Sequence, residues 1–138
     1  MRDREMGLLS EPAGNIDQLA KTVLAAAVQV HRHLGPGYLE SVYEEAMAIE
    51  MTLSGIPFER QADVSINYKN NLIGQGRLDF LVDRRLVVEL KTVDVLAPIH
   101  KAQILSYLKA TGHTLGLLIN FNVPVLLRGV KRVIRSND

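Results

Sequence analysis

The stretch LVVELKT, residues 86–92, decides the fold of this chain together with GRLDFLV, residues 76–82, just before it. Each is an apolar run rich in branched side chains and bounded by polar or turn-forming residues, which predicts a buried strand. A buried strand tolerates ionised side chains only where something neutralises them, because removing charge from water is costly. Glu89 and Lys91 nevertheless share one face of the second run, since alternate residues of a strand point the same way.

The link between the two runs sets their register. Residues 83–85 lie between them and can form a three-residue hairpin loop. Val82 then pairs with Leu86, and Asp79 lies directly across from Glu89. Two carboxylates with Cβ atoms ~5 Å apart repel each other unless a cation lies between them. A two-residue loop would shift the register by one residue and put Asp79 on the opposite face, so the convergence depends on the loop length.

Three interpretations of this acidic pair remain open on the residues alone. One is a structural salt bridge to Lys91 or Arg77, and another is a carboxylate pair that shares a proton. The third is a hard divalent cation bound by Asp79, Glu89 and the Leu90 carbonyl. Mg²⁺ suits such a site because it accepts one or two carboxylates and keeps several waters. In all three, Arg77 is expected on the same face as the acids and Lys91.

Composition predicts one globular domain without a membrane span. The chain has 138 residues, 47% hydrophobic and 22% charged, and no apolar run approaches the ~20 residues that a span needs. It contains no Cys, which excludes disulfides and thiolate zinc sites and favours a cytoplasmic location. Residues 1–14 show no periodicity and are expected to be a flexible N-terminal segment before a single domain over residues 15–138.

The charge balance does not by itself indicate nucleic-acid binding. Sixteen basic residues against fifteen acidic ones give a net charge of +1, whereas proteins with many phosphate contacts are usually more basic. The segment from residue 120 to 135 is different, because it has no acid and four basic residues. Arg128, Lys131 and Arg132 are therefore candidates for phosphate contacts, and a solvated strand end is the alternative.

Periodicity and turn residues predict the element order ααβββαββ. Helices are expected over residues 15–33, 39–53 and 98–110, and strands over 58–68, 72–82, 86–92, 115–121 and 125–134. The first three strands form an antiparallel meander. The fourth follows a helix and lies parallel to the third, and the fifth lies at the sheet edge. The prediction is an α/β (α+β) fold with a mixed central sheet flanked by helices.

Three details of these elements bear on the site. The core-facing stripe of the second helix is predicted to comprise Leu39, Val42, Tyr43, Ala46, Ile49, Glu50 and Leu53. Glu40 lies in the first turn of that helix, where the helix dipole favours an acid. Gly74 and Gly76 interrupt the second strand and indicate a bulge or the close approach of a ligand backbone.

Several motifs of this chain resemble one nuclease superfamily. Asp79, nine intervening residues and Glu89-Leu90-Lys91 resemble the core motif of the PD-(D/E)XK nucleases. Residues 37–43, Gly-x-x-Glu-x-x-Tyr, match the signature of the small bacterial and archaeal GxxExxY proteins placed in that superfamily. Residues 103–107, Gln-x-x-x-Tyr, resemble the helical motif of its RecB-like branch. The resemblance covers roughly residues 16–135 and implies a restriction-endonuclease-like core; Leu78 stands where the superfamily's name has Pro.

The resemblance implies a metal-dependent nuclease that hydrolyses phosphodiester bonds of DNA or RNA. Asp79, Glu89 and Leu90 would hold Mg²⁺ or Mn²⁺, which polarises the scissile phosphate. Lys91 would orient the attacking water or stabilise the charge that develops in the transition state.

The remaining motif residues would complete the catalytic set and bind the substrate. Glu40 and Gln103 would lie around the metal, and Arg77, Gln103 and Tyr107 would contact the nucleic acid, which we expect to be DNA. A domain of this size offers a small footprint, which a homodimer would enlarge. The modest net charge favours one alternative, a catalytically weak or inactive nuclease-fold module that binds nucleic acid or a protein partner.

Overall fold

The computed structural model describes residues 14–136 and has the predicted element order. Three helices, five strands and one 3₁₀ helix make up this part of the chain: α1 Gly14–Leu34, α2 Glu40–Leu53, β1 Phe58–Tyr68, β2 Asn71–Val82, β3 Leu86–Lys91, α3 Pro98–Thr111, β4 Leu115–Asn120, the 3₁₀ helix Leu126–Gly129 and β5 Val130–Ile134. Of the segment predicted to be flexible, residues 1–13 lie outside the described residues, and Gly14 begins α1.

The strands form one mixed sheet in the order β1-β2-β3-β4-β5. β1, β2 and β3 are the predicted antiparallel meander, β4 runs parallel to β3 and β5 pairs antiparallel with β4 at the edge. The boundaries agree with the prediction to within one residue except at the last strand, which was predicted to begin at residue 125, whereas β5 begins at Val130. Residues 126–129, which were predicted to be part of this strand, form the 3₁₀ helix instead. At its end, a side chain in place of Gly129 would collide with the backbone oxygen of Asn120.

Helices cover both faces of the sheet and define two cores. In the first, which we term the α1–α2 core, helices α1 and α2 pack on Leu86, Val88 and Leu90 of β3. In the second, the α3 core, Val87 of β3 packs with residues of α3. β4 is buried along its whole length, as expected for a central strand covered on both sides. Among the described helices, none is long and apolar enough to cross a membrane.

The predicted core stripe of α2 is largely wrong. Of its members, Tyr43 is buried, and Met47, Ala48 and Met51 supply the rest of the inner face. Four of the apolar residues assigned to the core are exposed instead: Leu39, Val42, Ile49 and Leu53. The reason is that α2 carries two apolar stripes. The flexible methionine side chains fill the space above the sheet, so the other stripe is left outside.

At Gln61 and Asp79, the side chains of the β1–β2 hairpin switch from one face of the sheet to the other. Phe80 packs in the α1–α2 core, whereas Leu78, two residues away, packs in the α3 core with its strand partner Ala62. Regular alternation would keep residues 78 and 80 on the same face. Gln61 has a φ of 49°, which non-glycine residues rarely adopt, and this local twist accounts for the exchange of faces.

Candidate active site

The hairpin between β2 and β3 has the predicted register. Val82 pairs with Leu86, and the pairing continues to Phe80 with Val88. The loop of residues 83–85 closes with a hydrogen bond of 3.0 Å from the Arg85 N–H to the Val82 carbonyl. Residues 79 and 89 are therefore the first positions beyond the last backbone pair.

Beyond that pair, side chains replace the backbone ladder between β2 and β3. The Glu89 carboxylate accepts the Asp79 N–H at 2.7 Å. The Asp79 carboxylate in turn accepts the Leu90 N–H, also at 2.7 Å. These crossed hydrogen bonds hold both carboxylates in the gap between the strands and fix their orientation.

Burial makes both acids reluctant to ionise. Glu89 is only 7% exposed, and this burial, followed by the negative charge of Asp79, raises its pKa to about 8. Burial likewise raises the pKa of Asp79, although the hydrogen bond from Leu90 partly opposes the shift. Lys91 lowers the pKa of both carboxyls, so its ammonium is the nearby positive charge that favours their ionised forms.

A third acid, Glu40, approaches this pair from the first turn of α2. Partial burial raises its pKa, and the charge of Asp79 raises it further, while Lys91 lowers it. The electrostatic coupling therefore links Glu40 to the two strand acids and to Lys91. Glu40, Asp79, Glu89 and Lys91 form what we term the acidic cluster.

Two residues beside the acidic cluster were missed by the sequence analysis. The Gln61 side-chain amide donates to Glu44 at 2.8 Å, and the same side chain lowers the pKa of Asp79. Glu44 could have been found, because it lies four residues after Glu40 and therefore on the same helix face. No sequence pattern indicated Gln61, because the direction of its side chain depends on the positive φ of Gln61 itself.

The backbone just after Lys91 is anchored by a buried side chain that was also missed. The Asn120 amide donates to the Val93 carbonyl at 2.8 Å and accepts the Val93 N–H at 3.1 Å. The Phe121 N–H donates to the Lys91 carbonyl at 3.0 Å. The end of β4 therefore fixes the end of β3 that carries Lys91. The sequence signal that could have identified Asn120 is its position as a polar residue inside an apolar run.

Arg77 does not share the predicted face with the acids. It pairs with Asp63 on β1, with 3.7 Å between Nε and Oδ1, and both side chains are exposed. Its neighbour Leu78 packs in the α3 core, so Arg77 points to the other side of the sheet. Glu89 lies between Val88 and Leu90 of the α1–α2 core and so leaves β3 on the opposite face, while its carboxylate bonds to the Asp79 N–H in the gap between the strands. The exchange of faces at Gln61 is the physical reason for this correction.

Of the two α3 residues that were predicted to contact the substrate, Tyr107 contacts the sheet and Gln103 is exposed. A Cβ atom on Gly76 would lie 2.9 Å from the Tyr107 hydroxyl, so Gly76 admits the Tyr107 ring where the sequence analysis expected either a bulge or a ligand backbone. The expected bulge is present beside Gly74: Ile66 pairs with Gly74 and Asn67 with Leu72, so Ile73 is the extra residue on β2. The structure brings neither Gln103 nor Tyr107 into a hydrogen bond with the acidic cluster within the described residues.

The basic residues near the C-terminus have different surroundings. Arg132 pairs with Asp17 of α1 at 2.7 Å, and Arg128 lies exposed in the 3₁₀ helix. Lys131 is exposed and pairs with Leu118, which in turn pairs with Glu89. Lys131 therefore lies in the same row of the sheet as Glu89, two strands or about 10 Å away.

The donor set of the acidic cluster fits a cation that takes part of its shell from water. Within residues 14–136, no group of three or more His, Asp and Glu side chains is gathered closely enough to hold a metal ion. Asp79 and Glu89 each use one oxygen for a backbone N–H, and a carboxylate has about four acceptor sites, so capacity for a cation remains. Two carboxylates completed by water fit Mg²⁺ or Mn²⁺, which prefer oxygen ligands.

Comparisons with known proteins agree on one superfamily fold. A family model described as the PD-(D/E)XK nuclease superfamily matches residues 17–133. Comparison with curated proteins finds no match. Among solved structures, an alkaline exonuclease from Laribacter hongkongensis is similar, with a TM-score of 0.51 and 12% sequence identity over 93% of this chain and 73% of that chain. At that identity the similarity shows a shared fold.

Proposed function

This chain belongs to the PD-(D/E)XK nuclease superfamily, and from that premise we propose that it is a metal-dependent nuclease that hydrolyses phosphodiester bonds. The observation that carries the proposal is the pair of crossed hydrogen bonds that holds the Asp79 and Glu89 carboxylates together beside Lys91. A purely structural ion pair would place the ammonium between the acids. Here the buried Glu89 and the half-buried Asp79, both with raised pKa values, face each other, which favours a site completed by a cation.

In this proposal Asp79 and Glu89 hold Mg²⁺ or Mn²⁺. The Leu90 carbonyl is the third ligand, because its N–H points toward Asp79 and the N–H and C=O of a strand residue point to the same side. Such an ion supplies a Lewis acid for the scissile phosphate. The raised pKa values of the carboxyls support this assignment, since a divalent cation provides the positive charge that the acids need in order to ionise.

The chain's own side chains would perform the remaining steps. Lys91 orients the attacking water and stabilises the negative charge that develops on the phosphate oxygens. Glu40 hydrogen-bonds water at the edge of the cluster, and Gln103 contacts the substrate. These two roles rest on the finer assignment to the GxxExxY proteins of the RecB-like branch, which is part of the proposal.

We assign the nucleic-acid surface to the same end of the sheet, with DNA as the substrate. Lys131 is the best supported contact, because it lies in the row of Glu89 and is exposed. Arg128 and Tyr107 are further contacts. Arg77 and Arg132 would have to exchange their Asp63 and Asp17 partners for phosphates. Two such domains in a homodimer would double this small footprint.

The proposal is tested by a cleavage assay on single-stranded, duplex and branched DNA and on RNA, with millimolar Mg²⁺ or Mn²⁺. We expect cleavage of at least one substrate, loss of cleavage with EDTA, and loss in Asp79→Asn. Glu59→Gln is the matched control, because Glu59 is an exposed acid on the neighbouring strand β1, and it should keep full activity. Binding without cleavage of any substrate would contradict the enzymatic proposal and favour the alternative of an inactive binding module.

A further inference from the structure

α2 carries an exposed apolar stripe on the side away from the sheet. Its residues, Leu39, Val42, Ala46, Ile49 and Leu53, follow one another at spacings of three, four, three and four, and we term them the outer stripe; Ala46 is half-buried at its edge and the other four are exposed. Leu39 is 75% exposed, Ile49 60% and Leu53 76%. At 3.6 residues per turn they fall within an arc of about 80°.

The fold does not require these residues to be apolar. The inner face of α2, formed by Tyr43, Met47, Ala48 and Met51, already attaches the helix to the sheet. An exposed contiguous apolar patch marks an interaction site more often than chance, and alternate spacings of three and four are the seam pattern of paired helices. A shallow groove beside the stripe can receive side chains of a partner. Its lining is apolar at Ala48, Ile49, Leu53 and Phe58 and polar at Glu45, Thr52 and Arg60.

Charge determines which partner fits. The charged residues of α2 are all acidic: Glu40, Glu44, Glu45 and Glu50. By helical geometry, Glu45 and Glu50 lie on the two sides of the outer stripe. Arg60 binds both Glu44 and Glu45, at 2.9 and 2.6 Å, so two carboxylates share one guanidinium. A second copy of α2 would place Glu against Glu, which is repulsive, whereas flanking Lys or Arg would be attracted.

We propose that the outer stripe is a docking surface for an amphipathic helix of another protein, with apolar residues at spacings of three and four and with Lys or Arg on both flanks. This is helix-in-groove recognition, in which the apolar anchors give affinity and the flanking charges select the partner. The surface is distinct from the acidic cluster, because Glu40 and Glu44 point toward Asp79 from another side of α2. The inference therefore stands whether or not the chain is a nuclease.

The test uses two fluorescent 18-residue synthetic peptides with the same leucine seam, one flanked by Lys and Arg and the other by Glu. Fluorescence anisotropy with the full chain should give at least tenfold tighter binding of the basic peptide. Ile49→Glu should weaken that binding at least tenfold. The variant adds a negative charge, so attraction of charge alone would predict tighter binding, and a loss identifies the apolar contact.

The controls separate docking from misfolding and from self-association. Ile73→Glu changes an equally exposed isoleucine at the β1–β2 turn and should leave peptide binding unchanged. Both variants should keep the wild-type melting temperature and Mn²⁺ affinity, because neither residue touches the acidic cluster. Equal binding of the two peptides, or unchanged binding in Ile49→Glu, would overturn the proposal. So would light scattering that shows a dimer which Ile49→Glu converts to a monomer, since a second copy would then cover the stripe.

Discussion

At the scale of single residues, ionisation of the acidic cluster costs free energy in the metal-free protein. Glu89 and Asp79 are buried together, and Lys91 offsets only part of the penalty on their ionised forms. Sites with such perturbed carboxyls are often functional, because a cation or a proton has to complete them. The same cost makes the stability of the metal-free protein depend on pH.

Glu89→Gln tests this cost directly. Between the ordinary glutamate pKa of 4.5 and the raised pKa of about 8, folded Glu89 keeps a proton that the unfolded chain releases, so the free energy of unfolding falls as pH rises through this window. Gln keeps an acceptor for the Asp79 N–H and cannot ionise. Without divalent cations, we expect the variant to be more stable than wild type at pH 8 by on the order of 3 kcal/mol, and the gap to close near pH 4.5. Urea unfolding across pH measures it, and parallel pH profiles would refute the assignment.

Lys91→Ala should separate catalysis from folding. Lys91 is half-buried and stabilises charge at the site, so we expect cleavage to slow by about 100-fold or more while the melting temperature changes by only a few degrees. Lys101→Ala, an exposed lysine of α3, is the matched control. The measurement is the single-turnover rate at saturating Mg²⁺, together with thermal unfolding. A wild-type rate in Lys91→Ala would remove Lys91 from the mechanism.

Gln61→Ala should weaken metal binding through Asp79. Gln61 donates a hydrogen bond to Glu44 and favours the ionised form of Asp79, and loss of a group that supports a metal ligand typically lowers metal affinity by about 10–100-fold. Calorimetric titration with Mn²⁺ measures this affinity independently of turnover. Gln75→Ala, an exposed glutamine on β2, should bind Mn²⁺ like wild type. Equal affinities in the two variants would mean that Gln61 does not position Asp79.

At the scale of elements, the β1–β2 hairpin is held by α3. The Tyr107 ring lies on the backbone of Gly76, which leaves no room for a side chain there. Ala62 and Leu78 pack under Ile104 of the same helix. Tyr107 is therefore a structural contact of the hairpin, whatever it does toward a substrate.

Gly76→Ala tests this contact. The new methyl group would meet the Tyr107 hydroxyl at 2.9 Å, so we expect a loss of about 1–3 kcal/mol in the free energy of unfolding. Gly74→Ala is the control, because its methyl group would meet Ile66 at an ordinary 3.9 Å. Adding Tyr107→Leu should recover part of the loss in Gly76→Ala. Equal stability of the two alanine variants, measured in urea, would show that the ring moves away freely.

The sequence was most informative where a pattern has only one interpretation. β1 and the hairpin register were predicted correctly, because alternation and the loop length fix both. The inner face of α2 was not, because two apolar stripes are equally compatible with a helix and only the methionines' packing chooses between them. The positions of Gln61 and Arg77 depend on one residue with positive φ, which leaves no periodic trace.

At the scale of the whole molecule, metal binding, proton release and stability should be linked. Glu89, whose pKa is raised to about 8, keeps a proton at pH 6 that a divalent cation must displace, so metal binding should be weaker there than at pH 8. We therefore expect millimolar Mn²⁺ to raise the melting temperature more at pH 8 than at pH 6, since stabilisation follows occupancy. Differential scanning fluorimetry measures the shift. Asp79→Asn should abolish it, and an equal shift at both pH values would contradict the linkage.

The crossed carboxylates have a mechanical consequence. On the N-terminal side of Phe80, β2 no longer pairs with β3, and its neighbours there are β1 and α3. Asp79 belongs to the hairpin and Glu89 to β3, so the two crossed hydrogen bonds take the place of the missing backbone pairs and couple the two strands. A ligand that shifted the hairpin against β3 would therefore strain both hydrogen bonds and change the distance between the two acids, and with it the fit for an ion.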